Sequence, residues 1–115
     1  MRIDLQGRNV EVSDEMREAV TSRFKRVGSQ VSELATLEVV LSEERNPRIT
    51  DSQVAEATLH LKGVTLRAHE ASPEMLHSIH EAAEDIRRQV KKHREKRRAR
   101  ERSRREVSRM RSEPA

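Results

Sequence analysis

A chain of 115 residues has room for one small domain and none for a multidomain enzyme, because domains usually take about 100 to 150 residues. Hydrophobic residues make up 33% of it and charged residues 38%, Phe24 is the one aromatic and cysteine is absent, so the core must be small and no disulfide scaffold, Cys-ligated metal or thiol nucleophile can be built. The formal charge of +4 conceals an asymmetry: residues 1 to 86 carry 10 Lys/Arg and 16 Asp/Glu, net −6, whereas residues 87 to 115 carry 14 and 4, net +10, which points to a polyanionic partner and most commonly to nucleic acid.

The N-terminus lacks the apolar core of a signal peptide, and no stretch approaches the roughly 20 apolar residues of a membrane span, so a cytoplasmic protein without membrane contact is expected. Residues 2 to 6 alternate, Ile3 and Leu5 against Arg2, Asp4 and Gln6, as in a half-buried strand that Gly7 would end. Ser13 reads as a helix N-cap, with Asp14 and Glu15 at the positive end of the dipole, Met16, Val20, Phe24 and Val27 along the buried stripe, and Gly28 as the C-cap. Residues 36 to 42 return to period two with Leu37, Val39 and Leu41 inward, and residues 43 to 51, holding Asn46-Pro47, read as an exposed loop. Two further alternating runs, 53 to 61 and 64 to 69, flank Lys62-Gly63 and predict an antiparallel hairpin. Ser72-Pro73-Glu74 then supplies an N-cap, a first-turn proline and a first-turn acid. The helix it predicts has the stripe Leu76, Ile79, Ala83, Ile86, Val90, and the stripe's next positions are His93 and Arg97, so core packing should end near Val90.

The order β-α-β-β-β-α, with every strand and helix apolar on one side only, predicts an α+β fold: a two-layer sandwich with both helices on one face of a four-stranded sheet. The other face, carrying Arg2, Asp4, Glu38, Glu56, Thr58, His60, Arg67 and His69, would be wet. Residues 1 to 95 are expected to form the domain. Residues 96 to 115 are expected to be a basic tail, disordered or a fraying helix, because from Ala99 on only Val107 and Met110 are sizeable apolar residues and cannot offset the entropy of ordering.

Chemistry concentrates in the basic run from Arg87 to Arg98. Lys and Arg at this density release condensed counterions on meeting phosphates, giving binding that is steep in salt and largely blind to sequence. Arg88, Lys91 and Arg94 fall off the apolar stripe and can point outward while the core stays filled. In the segment HSIHEAAE, the pairs His77–Glu81 and His80–Glu84 stand in one open row without a completing ligand set, so no metal site is expected. His60 and His69 lie on an open sheet face beside no nucleophile, and the three glycines are scattered, so neither an enzyme nor a cofactor site is expected.

The segments GRNVEVSDEMREAVTSRFKRV, EVVL, ATLHLKG and EASPEMLHSIHEAAEDIRRQVKKHREK, in this order over about residues 1 to 97, resemble the ribosome hibernation-promoting factor and ribosome-associated inhibitor family. The resemblance implies a non-enzymatic stress factor that sits in the mRNA and tRNA channel of the small ribosomal subunit, contacts ribosomal RNA and blocks translation. The positions it would use here are Arg17, Arg23, Lys25 and Arg26 on the first helix and Arg88, Lys91, Lys92 and Arg94 on the second, with Lys96, Arg97 and Arg98 continuing the basic run. Where relatives commonly start the second helix with Asp-Met-Tyr, this chain has Glu74-Met75-Leu76, so an aromatic contact there is lost. The length resembles a short member or the first domain of a long one. Ribosome pairing through a second domain does not follow, and weak self-association is compatible with the sequence but not implied by it.

Two other readings use the same features. A general DNA- or RNA-binding module would clamp any duplex with the tail, and an adaptor would recruit a protein through Glu56, His60 and Arg67 on the open sheet face. No small-molecule substrate is expected in any of them.

Overall fold

The computed structural model describes residues 1–112; the end of the expected tail, 113–115, lies outside them. The elements run β1 (Arg2–Arg8), α1 (Asp14–Arg23), α2 (Lys25–Ser29), β2 (Thr36–Glu43), β3 (Gln53–Leu61), β4 (Val64–Ser72) and α3 (Met75–Ser112). The strands form one sheet in chain order. β1 pairs with β2 in parallel, with α1 and α2 as the crossover, and the two remaining pairs are antiparallel. α3 packs on β3 and β4 and beside α1 and α2, which gives the expected two-layer α+β sandwich.

One face of the sheet supplies Leu37, Val39, Leu41, Ala55, Ala57, Leu59 and Ala68 to the core, and the helices close it with Val20, Phe24, Val27, Ile79, Ile86 and Val90. Alanines on both sides of this contact, Ala55 and Ala57 on β3 with Ala82 and Ala83 on α3, leave room for a helix close to the sheet. Beneath it, the Ser72 and Ser78 hydroxyls meet at 2.7 Å and Ser78 Oγ donates to the Gln53 carbonyl at 2.6 Å, so the two buried polar residues among those described are hydrogen-bonded together. At the β3–β4 hairpin Gly63 takes φ 78° while Lys62 before it stays at negative φ, the pattern of a type II turn, whose third residue favours glycine.

Several boundaries differ from those read in the sequence. Gly7 does not end β1. The strand continues to Arg8, and Asn9 ends it at φ 54°, its side-chain amide donating to the Glu43 carbonyl at 2.8 Å and accepting from the Glu43 N–H at 2.9 Å. Gly7 is needed for another reason: a Cβ there would stand 2.3 Å from the Val10 carbonyl oxygen, because the chain folds back across it. Ser13 caps α1 as expected, accepting from Met16 N–H at 3.1 Å. The helical arm breaks at Phe24 into α1 and α2, and Gly28 is not its C-cap. α2 passes through Gly28 to a cap at Gln30, and Gly28 lies against Met1, where a Cβ would sit 3.4 Å from the methionine's terminal carbon.

α3 begins two residues later than the Ser72-Pro73-Glu74 signal places it, with the Glu74 carbonyl accepting from Ser78 N–H at 3.1 Å and Ser72 still in β4. That start rotates the first buried position onto Met75, 6% exposed, and leaves Leu76 40% exposed. The stripe that reaches the core is therefore Met75, Ile79, Ala82/Ala83, Ile86, Val90, at spacings of 3 or 4. Beyond Val90 the helix continues to Ser112, within the segment expected as a disordered or fraying tail, with every side chain from Arg94 to Arg111 exposed. It draws the molecule out to 72 Å in its longest dimension.

Candidate nucleic-acid interface

Val90 ends the buried stripe of α3, and the residues flanking that stripe decide what the helix presents. On one flank Gln89 donates to the Arg67 carbonyl of β4 at 2.7 Å and to Asp85 at 3.1 Å, fixing the helix against the sheet edge. On the other, Arg87, Lys91, Arg94 and Arg98 follow at spacings of 4, 3 and 4, which stacks them one above another over three turns. With Arg88, Glu95 and Gln30 from the end of α2 they line a cleft of about 330 Å³ between the two helices.

The electrostatics of this cleft are lopsided. Arg87 donates from Nη2 to Glu84 at 2.8 Å, and that hydrogen bond holds the Glu84 carboxyl below its ordinary value against the opposing effect of burial, with the charges of Arg87, His80 and Arg88 adding to the lowering. Among the described residues no carboxylate pairs with Arg88, Lys91, Arg94 or Arg98. Such a row, fixed at its base on a packed helix and open to water at its tips, suits phosphate oxygens better than a small apolar ligand.

The residues expected from the sequence separate into groups. Arg88, Lys91, Arg94 and Arg98 share the cleft. Lys92, Lys96 and Arg97 are exposed on the same helix but do not line it, and Arg97 pairs with Glu101 at 3.7 Å. Arg17 and Arg23 on α1 and Lys25 and Arg26 on α2 are exposed and contribute no cleft wall. Sequence reasoning missed Arg87 and Gln30 as lining residues. Arg87 was legible, since its spacing to Lys91 repeats the four-residue step, whereas Gln30 enters only because α2 overruns Gly28.

Elsewhere polar side chains meet local partners. On the open sheet face Glu38 meets His60 at 3.4 Å, Glu56 meets His69 at 3.4 Å and Arg2 meets Asp4 at 3.2 Å, so much of the face considered for an adaptor pairs with itself. His77 and Glu81 lie 4.0 Å apart, and among the described residues no three His, Cys, Asp or Glu side chains converge. Among those residues no helix is long and apolar enough to cross a membrane.

Residues 3–98 match the family model described as Sigma 54 modulation protein / S30EA ribosomal protein. A ribosome hibernation promotion factor of Picosynechococcus sp. is 33% identical over 96 residues, 83% of this chain and 50% of the relative, so the chain matches about half the length of that protein. A ribosome hibernation promoting factor of Salmonella typhimurium is 29% identical over 95 residues, covering 83% of this chain and 95% of the relative. The crystal structure of the Thermus thermophilus Protein Y N-terminal domain superposes with a TM-score of 0.69 at 28% identity, over 80% of this chain and 98% of that one. A ribosomal subunit interface protein from Coxiella burnetii, 18% identical with a TM-score of 0.69 over 82% of this chain and 98% of that one, shares the fold.

Proposed function

The chain belongs to the Sigma 54 modulation protein / S30EA ribosomal protein family, and from that premise we propose that it is a ribosome hibernation factor: it occupies the mRNA and tRNA channel of the small ribosomal subunit, holds ribosomal RNA through basic side chains, and silences translation without bond chemistry. The observation that carries the reading is the row Arg88, Lys91, Arg94 and Arg98, unpaired within the described chain and fixed on a rigid helix. Exposed Arg17, Arg23, Lys25 and Arg26 on the neighbouring helices, with Lys92, Lys96 and Arg97, widen the same positive surface. The mechanism is occupancy. Phosphate contacts give affinity, the folded domain gives shape, and a channel filled by protein admits neither messenger nor tRNA. Residues 1 to 95 act as the shaped domain and residues 96 to 115 as its basic extension.

Cosedimentation with separated ribosomal subunits, alongside free RNA and DNA of matched phosphate content, tests it. The expected result is preferential small-subunit binding that mRNA and tRNA compete away and that weakens linearly in log affinity against log salt. Equal binding to large subunits or to free duplex DNA would replace this reading with that of a general nucleic-acid clamp.

A further inference from the structure

The basic row does not stop where the family match stops. Continuing from Lys91, Arg94 and Arg98 in the cleft, the same flank of α3 meets Arg102 and Arg105, at spacings of 3, 4, 4 and 3. Arg98, Arg102 and Arg105 share one shallow hollow of the helix surface with Glu95 and Glu101, and Arg98 also belongs to the cleft, so the two stretches are one continuous seam. A rise of 1.5 Å per residue places its successive charges about 5 to 6 Å apart over about 21 Å, a spacing of the same order as neighbouring phosphates along one polynucleotide strand.

The opposite side of the tail provides the contrast. Arg100 and Arg104 prolong the buried stripe of Ile86 and Val90, about 100° to 160° around the helix from Arg102 and Arg105. They carry the same charge and are also exposed, but line neither the cleft nor the hollow. The tail also has reason to seek an anion. Like charges four residues apart recur at Arg94–Arg98, Arg98–Arg102 and Arg100–Arg104, each opposing the helix by about 0.2 to 0.5 kcal/mol, against which the Arg97–Glu101 ion pair at 3.7 Å is a small offset.

Resting on the proposed function, we infer that the seam Lys91, Arg94, Arg98, Arg102, Arg105 tracks the phosphate backbone of a single strand of ribosomal RNA, so that residues 99 to 105 extend the footprint in a fixed direction beyond the domain common to the family. Phosphates along the seam relieve the repulsion between its charges, and the helix keeps them in line.

Two double variants of the full chain test this at equal net charge: Arg102→Gln with Arg105→Gln on the seam, and Arg100→Gln with Arg104→Gln opposite it. The probes are purified small subunits and a 30-nucleotide oligouridylate, each titrated over a range of salt. The seam variant should bind small subunits roughly tenfold more weakly, with a log–log salt slope shallower by about 1.5, while the opposite variant stays within about twofold of the unaltered protein. Equal losses from both variants, or none from the seam variant, would overturn the seam while leaving small-subunit binding by the unaltered protein intact. Discrimination on oligouridylate without discrimination on subunits would overturn ribosomal RNA as the source of the strand. Failure of the unaltered protein to bind small subunits would overturn the functional reading itself and the seam's assignment with it.

Discussion

The hydroxyl oxygens of Ser72 and Ser78 lie 2.7 Å apart inside the fold, at the one place where the start of β3, the end of β4 and the first turn of α3 come together. Ser78 Oγ reaches the Gln53 carbonyl at 2.6 Å, and Ser72 Oγ reaches the Glu74 carbonyl at 2.7 Å, so two small side chains connect three elements. α3 carries the basic row, and its register over the sheet is set here.

Ser78→Ala removes the hydroxyl that donates to the Gln53 carbonyl and takes one contact from the buried Ser72 oxygen, which keeps Glu74. A loss of about 1 to 3 kcal/mol is expected, read as a lower urea midpoint with an unchanged m-value. Small-subunit affinity, measured well below the midpoint, should hold, because no cleft residue is altered.

Phe24 is the one aromatic side chain, fully buried at the break between α1 and α2. Phe24→Ala should cost about 3 to 5 kcal/mol and Phe24→Leu clearly less, with circular dichroism following the transition in a chain that has neither Tyr nor Trp. Equal costs for the two variants would contradict tight packing around the ring.

Asn9 combines a left-handed backbone with two hydrogen bonds to the backbone of Glu43, extending the β1–β2 pairing past the last strand residue. Asn9→Gly keeps the backbone conformation and loses the bonds, whereas Asn9→Ala loses both, so alanine should be the more destabilising by about 1 kcal/mol. Faster amide exchange at Glu43 in both variants is the direct measurement.

Much of the architecture was legible because period two and period 3.6 do not mimic each other: β3 begins and ends where alternation begins and ends, and Ser13 caps α1 as its side chain dictates. The misplacements share a cause. Gly7, Gly28 and Ser72 carry strong local signals that tertiary contacts reassign, to a chain crossing at Val10, to Met1, and to the buried hydroxyl pair. Leu76 and Met75 are equally apolar, and only the observed start of α3 decides which is buried. The cleft was half legible: the spacing of Arg88, Lys91 and Arg94 off the apolar stripe is a property of one helix, but Gln30 arrives from another element, and no periodicity within α3 contains it.

Glu84 gives a pH signature of the cleft's rim. Its folded-state carboxyl titrates below the ordinary value, chiefly through the Arg87 hydrogen bond, so its contribution to stability is present above the unfolded-state value near 4.5 and is lost as pH falls through the lower folded-state value. Both side chains are partly exposed, so Arg87→Gln should cost no more than about 1 kcal/mol near neutral pH. The difference from the unaltered protein should close in acid. A gap that persists unchanged at pH 3 would place the loss in packing by the Arg87 stem.

Ending the chain after Glu95 separates the domain from its extension, because it removes nine Lys and Arg residues and no buried one. Thermal stability should barely change, while helical circular dichroism falls and the salt dependence of ribosome binding flattens as fewer counterions are released. Preference for the small subunit should survive, since Arg88, Lys91, Lys92 and Arg94 remain on the packed part of α3. Replacing those four by Ala in the full chain reverses the pattern: the tail keeps nine cations and general affinity for nucleic acid, but the domain loses the groups that face the cleft and its surround. In vitro translation distinguishes the two variants. Inhibition by the truncated chain and none by the four-Ala chain locates silencing in the folded domain, and the opposite pair of results locates it in the tail and makes the protein a clamp.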